Sequence, residues 1–296
     1  MKNPHQEVSG HYTIPNLGDR ILAALEKAGK DLRKLTPDDL APVDEFHIRG
    51  RAATEELAGW VRVRPEDALL DVGCGLGGTS RYLAGSTGCT VVGVDLTEEY
   101  CRVAEMLSAR VGLADRTTFR QGSALALPFG DDRFDIVWTE HVQMNISDKA
   151  GFYGELRRVL KPGGRLAFHD IFAGAGLNAG ADAGFDAAAG VRDGGGIHLP
   201  VPWASEASIN HLIRVEDLRA LLSDRGFEVV RWEDKTEASI AFFQSVLKRV
   251  QGEGWMPLGL HLLLGDDAVT RFTNVFRNLE EDRVRVVQAV LKRSAP

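Results

Sequence analysis

Residues 69–78, Leu-Leu-Asp-Val-Gly-Cys-Gly-Leu-Gly-Gly, constrain this chain more than any other stretch. The apolar run Ala68–Val72 has the length of a buried strand; it breaks at Gly73, Gly75, Gly77 and Gly78, and a helical pattern follows from Thr79. Strand, glycine turn and helix in this order present backbone N–H groups to a nucleotide-like ligand. Glycines allow positive φ in the turn and remove the Cβ atoms that would keep a ligand off the backbone. A second apolar run, Thr90 to Val94, ends in Asp95, where a carboxylate can accept both hydroxyls of a ribose. Asp71, just before the first glycine, suits a cationic or amino-bearing ligand better than a pyrophosphate. A glycine turn alone also fits a dinucleotide domain or a turn that binds nothing, so its neighbours decide.

Strand and helix patterns alternate from there: strands over 68–72, 90–95, 117–121, 134–139 and 165–171, helices over 79–87, 98–112 and 148–160. Alternation of this kind implies a parallel sheet covered by helices on both faces. Ligands on such sheets sit at the carboxyl ends of the strands, so Asp71, Asp95, 122–124, 139–142 and Asp170 are expected along one edge. Lys161-Pro162-Gly163-Gly164 reads as a helix stop and turn. Further on, 215–225 reads as a helix, 227–232 as a strand, 237–250 and 267–278 as helices over the substrate mouth, and 283–292 as a final strand.

The motif Asp71 to Gly78, then Val94-Asp95-Leu96, then Arg158-Val159-Leu160-Lys161-Pro162-Gly163-Gly164, resembles the class I S-adenosylmethionine (SAM) methyltransferases over about residues 52–170. The resemblance implies an α/β fold: a doubly wound, Rossmann-like seven-stranded sheet whose last strand is antiparallel, with helical N-terminal and C-terminal cap insertions. It implies SAM as cofactor and S-adenosylhomocysteine as product. By the same resemblance Gly73, Gly75 and Asp71 hold the methionine end, Asp95 the ribose, and Leu96 covers an adenine face. Gly122, Ser123 and Ala124 stand where the family holds the adenine edge, although the family usually has an aspartate at Ser123. Glu140 joins the cofactor side. The expected organisation is an N-terminal helical lid over 1–60, a SAM-binding core over 61–172, a flexible insertion and substrate-side segment over 173–213, and the end of the sheet over 214–296 with a cap at about 237–280.

Thr139-Glu140-His141-Val142-Gln143-Met144-Asn145-Ile146-Ser147-Asp148 carries the catalytic expectation. Many small-molecule O-methyltransferases of this group have a histidine where Asn145 stands and a proline at Ser147; the aspartate that often partners that histidine corresponds to Asp170. Asparagine cannot accept a proton at neutral pH, which puts a His–Asp base here in doubt. His141 and His169 can substitute for it, or serve as satisfied structural histidines. An acceptor needing little base, such as an unprotonated amine or an activated carbon, then fits best. The run 140–145, with His169-Asp170 and Pro200-Val201-Pro202-Trp203-Ala204, looks most like sarcosine/dimethylglycine methyltransferase-like proteins. N-methylation of an amino-acid-like amine follows as the first expectation. Tyr12, Phe46, Trp203 and Trp255 would face the growing ammonium by cation–π contact, Arg49 would take a substrate carboxylate, and His47 would join them. The alternatives are C- or O-methylation of a quinone or natural-product scaffold, which the apolar stretch 255–264 would suit, or a SAM-fold cyclase or binding protein without methyl transfer.

The 296 residues carry a formal net charge of −7, which argues against general affinity for nucleic acid or anionic membrane. No apolar run approaches the ~20 residues of a membrane span. Residues 1–16 are polar, lack a signal-peptide core and are expected to be mobile until they cover the active site; the expected location is cytoplasmic. Cys74, Cys89 and Cys101 fit reduced thiols, without the spacing of a zinc site, and no metal is expected. The glycine/alanine tract 173–196 reads as a flexible excursion whose Asp182, Asp186 and Asp193 lack a calcium-loop spacing. The expected partner is a small-molecule methyl acceptor, with a homodimer left open.

Overall fold

The computed structural model describes residues 4–178, 185–186, 191–193 and 196–294. Helices α1 (Pro4–Tyr12), α2 (Leu17–Lys27), α3 (Pro37–Asp44) and α4 (Arg51–Val61) precede the sheet. Residues 4–12 are thus helical rather than loose, docked through contacts described below. α3 begins with a capping box: the Thr36 hydroxyl faces the Asp39 N–H, the Asp39 carboxylate accepts from the Thr36 N–H, and Pro37 opens the helix without losing a needed donor.

The alternating core follows: β1 (Ala68–Val72), α5 (Gly78–Thr87), β2 (Thr90–Asp95), α6 (Glu98–Arg110), β3 (Thr117–Gln121), β4 (Phe134–Glu140), α7 (Lys149–Val159) and β5 (Leu160–Ala173). β5 starts earlier than the sequence suggests. The expected turn at Lys161–Gly164 is absorbed as an irregular start of the strand, where the β4–β5 register shifts between Phe134 and Ile136. The short strands β6 (Phe185–Asp186), β7 (Val191–Asp193) and β8 (His211–Leu212) form a small second sheet. Half of the expected flexible tract 173–196, including Asp182, lies outside the described residues. The chain ends with α8 (Val215–Asp224), β9 (Phe227–Asp234), α9 (Thr236–Glu253), α10 (His261–Leu264), α11 (Ala268–Glu280) and β10 (Val284–Arg293).

The seven-stranded sheet has the order β3-β2-β1-β4-β5-β10-β9. β10 runs antiparallel to both neighbours, and the other pairings are parallel. After β3 the chain crosses back to lay β4 beside β1, so the strand order reverses there and opens a crevice at their carboxyl ends. Leu70, Val137, Phe152, Leu156 and Phe168 pack on one face; Leu57, Leu69, Ile136, Trp138 and Ala167 pack on the other. Phe243, Phe272 and Val275 of α9 and α11 bury against Ile171, Val284 and Val286, which forms the cap. Among the described residues no helix is long and apolar enough to cross a membrane.

One buried cation locks the N-terminal helices to this core. Arg81 of α5 is fully buried. Its Nη2 donates to Asp44 Oδ2 (2.6 Å) and to the Leu76 carbonyl (2.6 Å), and its Nη1 donates to the Ala104 carbonyl (3.1 Å). The approach is close: a Cβ on Gly78 would sit 2.3 Å from the Asp44 carbonyl oxygen. Arg81→Met leaves a buried carboxylate without its cation and should cost about 3–5 kcal/mol in urea denaturation. Adding Asp44→Leu should recover part of that loss; a double variant no more stable than the single one contradicts this view of the pair.

Candidate active site

A cavity of about 430 Å³ opens at the carboxyl ends of β1, β2 and β4. Its first wall is the glycine turn. Gly73 (φ +76°) and Gly75 (φ +52°) both line it, for different reasons. A Cβ at Gly73 would collide with Val142 Cγ2 at 2.1 Å, whereas a Cβ at Gly75 would project into open space. Asp95 closes the turn from the end of β2: its Oδ2 accepts from the Gly75 N–H (2.9 Å) and its Oδ1 from the Thr97 N–H (2.8 Å). Each oxygen keeps a further acceptor site. Leu96, Gly122, Ser123 and Ala124 continue the wall, and the Ser123 hydroxyl accepts from the Leu125 N–H (3.2 Å).

Acids crowd beneath this turn. Glu140, at the end of β4, accepts the Thr79 hydroxyl at Oε2 (2.6 Å), while its Oε1 is buried without a partner. Asp71 does not reach the cavity. It is buried behind the turn, takes the Ser80 hydroxyl at 2.6 Å, and is pushed up to about 7 by burial, with Glu140, Glu45 and Asp95 adding repulsion. Of the contact expected of it, direct or through water, the direct form is not what the cavity lining shows; Asp71 instead supports α5 through Ser80.

The counter-charge comes from His47, which also stands outside the main cavity. Its Nε2 lies 2.9 Å from Glu45 Oε2 and 3.6 Å from Glu140 Oε2. Burial opposes protonation, but Glu140 and Glu45 outweigh it and raise the imidazole to about 9. The Thr54 hydroxyl (2.8 Å) and Arg51 Nε (2.5 Å) complete the Glu45 carboxylate.

His141 lines the cavity with a left-handed backbone (φ +52°) and stacks on His169 (5.1 Å, 26°). Its Nε2 is buried without a partner. Burial, helped by His169 and His47, holds it well below its usual range, so it is a neutral imidazole. His169 is fully buried and its Nε2–H donates to the Ile48 carbonyl (3.0 Å); burial lowers it to about 3. Asp170 is also behind the wall. Its carboxylate accepts the N–H groups of Val142 (3.0 Å), Gln143 (3.1 Å) and Ile171 (2.8 Å). Neither touches the cavity, so their expected catalytic roles become positioning roles.

Asn145 lines the cavity, yet its side chain is spent on structure. Its Nδ2 donates to the Trp203 and Ile209 carbonyls (2.8 Å each), and its Oδ1 accepts the Tyr12 hydroxyl (2.8 Å). It is a knot joining α1, the 143–145 turn and the 203–209 segment. α1 gains a second tie where His11 Nε2 donates to the Pro202 carbonyl (2.9 Å). The far end of the turn is held by Lys149, whose buried Nζ donates to the carbonyls of Gln143, Ile146 (2.6 Å) and His211 (2.6 Å). Burial lowers Lys149 to about 7, against the pull of Asp170.

Of the expected substrate residues, Tyr12, Phe46 and Trp203 line the cavity. Arg49 and Trp255 do not: Arg49 is bound to Glu56 (2.9 Å), and Trp255 stacks on His261 (5.0 Å) under the cap. Val8, Tyr100, Ile209 and His211 line it without having been anticipated. They arrive through long-range folding, and no local pattern marks them. Among the described residues no group of three His, Cys, Asp or Glu is placed to hold a metal ion.

Comparison with known proteins adds the following. Residues 70–168 match the family model described as a methyltransferase domain. The chain is 32% identical over 218 residues to 27-O-demethylrifamycin SV methyltransferase of Amycolatopsis mediterranei (strain S699), covering 73% of this chain and 72% of that protein. It is 33% identical over 132 residues to glycine/sarcosine/dimethylglycine N-methyltransferase of Actinopolyspora halophila, covering 45% of this chain and 23% of that one. Against other curated methyltransferases it spans from 28% to 66% of their length. The fold is shared with the [4+2]-cyclase SpnF at a TM-score of 0.65 and 18% identity, over 100% of this chain and 98% of that one.

The acid cluster makes a pH-dependent prediction. Because the folded-state pKa of His47 is raised, its contribution is fully present below the unfolded value of about 6.5 and is lost as pH rises through about 9. His47→Gln should therefore destabilise by about 3 kcal/mol at pH 6, read by urea denaturation. The gap to wild type should narrow by pH 10; a constant gap contradicts a charged His47.

Proposed function

Since the chain belongs to the class I SAM-dependent methyltransferases, we propose that it transfers methyl from SAM to a hydroxyl of a neutral, largely apolar small molecule. The carrying observation is the composition of the cavity away from the glycine turn, where Val8, Phe46, Met144, Ile146, Trp203 and Ile209 face inward. Among the described residues that line it there is no Arg or Lys. An amino acid such as sarcosine brings a carboxylate that would be desolvated against this wall without a cation to meet it. Arg49, the residue expected for that task, is engaged with Glu56 outside the cavity. The longer alignment, to a protein whose name gives 27-O-demethylrifamycin SV as acceptor, also favours an oxygen acceptor over the amine acceptor of the shorter alignment. Likeness to a cyclase at 18% identity speaks for the fold alone.

The residues present fit SAM. The unpartnered Glu140 Oε1 can accept a ligand ammonium, and Asp95 retains acceptor capacity for ribose hydroxyls. Gly75 leaves the backbone bare on the cavity side. The acids Asp71, Asp95 and Glu140 together favour a cationic ligand over a phosphate. When bound, SAM supplies a methyl group made electrophilic by its sulfonium. His141 is the residue at the cavity wall placed to take the acceptor's hydroxyl proton, as a neutral imidazole whose basicity burial weakens. Tyr12 and Trp203, held through Asn145, keep α1 and the 203–209 segment over the cavity and exclude water.

Mass-spectrometric detection of S-adenosylhomocysteine with a panel of hydroxylated apolar acceptors, sarcosine and dimethylglycine tests the reading. Turnover of hydroxyl acceptors is expected; turnover confined to the amines overturns it. His141→Asn, which tolerates the left-handed backbone, should lower turnover about 10²–10⁴-fold with SAM affinity nearly unchanged. Glu140→Gln should weaken SAM binding by roughly tenfold in calorimetry, in line with loss of a charge-assisted bond.

A further inference from the structure

Behind the main cavity lies a recess of about 30 Å³ that the chemistry above does not use. Phe46, His141, Pro202 and Trp203 line both spaces, so the two adjoin at these residues. The back of the recess belongs to the cap: Phe243 and Phe272 meet edge to face (5.5 Å, 72°), and Val275 closes the end. We propose that this recess receives a short alkyl branch carried next to the hydroxyl that is methylated. The inference rests on the hydroxyl reading for where the reacting oxygen sits, and it narrows the acceptor to a hydroxyl with an apolar neighbour.

Size and chemistry support that occupant. A space of this volume holds about two water-sized groups, which is a methyl or an ethyl. Buried water needs two to four polar partners; the far end of the recess, Phe242, Phe243, Phe272 and Val275, offers none through its side chains, and the polar side chains of the lining, His47 and His141, belong to its near side. The dividing wall contains His141, the same imidazole that faces the main cavity. A group reaching past it stays within a bond or two of an oxygen placed to lose its proton there. Phe243, Phe272 and Val275 are then specificity-determining residues, although the cap lies outside the matched methyltransferase domain at 70–168.

The test uses the full-length protein saturated with S-adenosylhomocysteine and three probes, phenol, 2-methylphenol and 2-propylphenol, with binding followed by ligand-observed NMR and calorimetry. For wild type, 2-methylphenol should bind about fourfold more tightly than phenol, the gain of one buried methyl, and 2-propylphenol should lose that gain. Val275→Leu, a change of one methylene, should abolish the preference for 2-methylphenol. Phe243→Ala should extend it to 2-propylphenol, with circular dichroism and unchanged S-adenosylhomocysteine affinity as the check on folding. Equal binding of phenol and 2-methylphenol, a preference that survives in Val275→Leu, or no binding of any probe at millimolar concentration overturns the proposal. Since no turnover is measured, these outcomes are separate from the acceptor panel: a protein that methylates only amines fails there whatever the recess binds.

Discussion

A guanidinium fully buried from solvent sets the geometry of this molecule. Arg81 reaches in four directions from α5, to the last turn of α3, the carbonyl that ends the glycine turn, and two groups on α6. Burying such a charge is costly unless it is paired and hydrogen-bonded, and here four bonds meet its two Nη groups while Nε has no partner. The surrounding carbonyls therefore cannot drift without leaving the charge exposed to an apolar interior. The turn that presents Gly73 and Gly75 inherits its shape from this constraint, and so does the seat of the α3–α4 connection that carries Glu45, Phe46 and His47.

Charge balance is the second theme. Glu140, Glu45 and Asp95 add to the proton affinity of Asp71, and Glu45 adds to that of Glu140, while the cations His47 and Arg51 hold Glu45 itself well below the usual carboxylate range. A site built this way carries surplus negative charge before any ligand arrives. Binding of a cation there relieves repulsion already present in the fold, so affinity for a sulfonium-bearing molecule and stability of the apoprotein pull against each other.

Much of this was legible in the residues because it is local. A strand that breaks into glycines and reopens as a helix fixes β1, the turn and α5, and the same logic gives Asp95 its post at the end of β2. The wall at Gly122 to Ala124 follows from the strand register. What stayed hidden depends on partners far along the chain. Asn145 reads as a vacant catalytic position in sequence, but its amide is consumed by residues 133 positions before it and 58 and 64 after it. Asp170 reads as a histidine's partner and in fact holds backbone N–H groups. Lys149 gives no sign in sequence that its ammonium ends under three carbonyls. The helix at 4–12 was missed because its order comes from docking, through Tyr12 and His11, rather than from an apolar stripe.

The Asn145 knot has a consequence for how the mouth responds to its surroundings. An amide has no proton to gain or lose in ordinary conditions, and burial keeps the Tyr12 phenol in its neutral form. The Asn145 fastening between the first helix and the far rim is therefore indifferent to acidity, while the neighbouring tie from the His11 imidazole to the Pro202 carbonyl is the one there that can gain a proton. The entrance is thus held by one bond that ignores proton concentration and one that can answer to it.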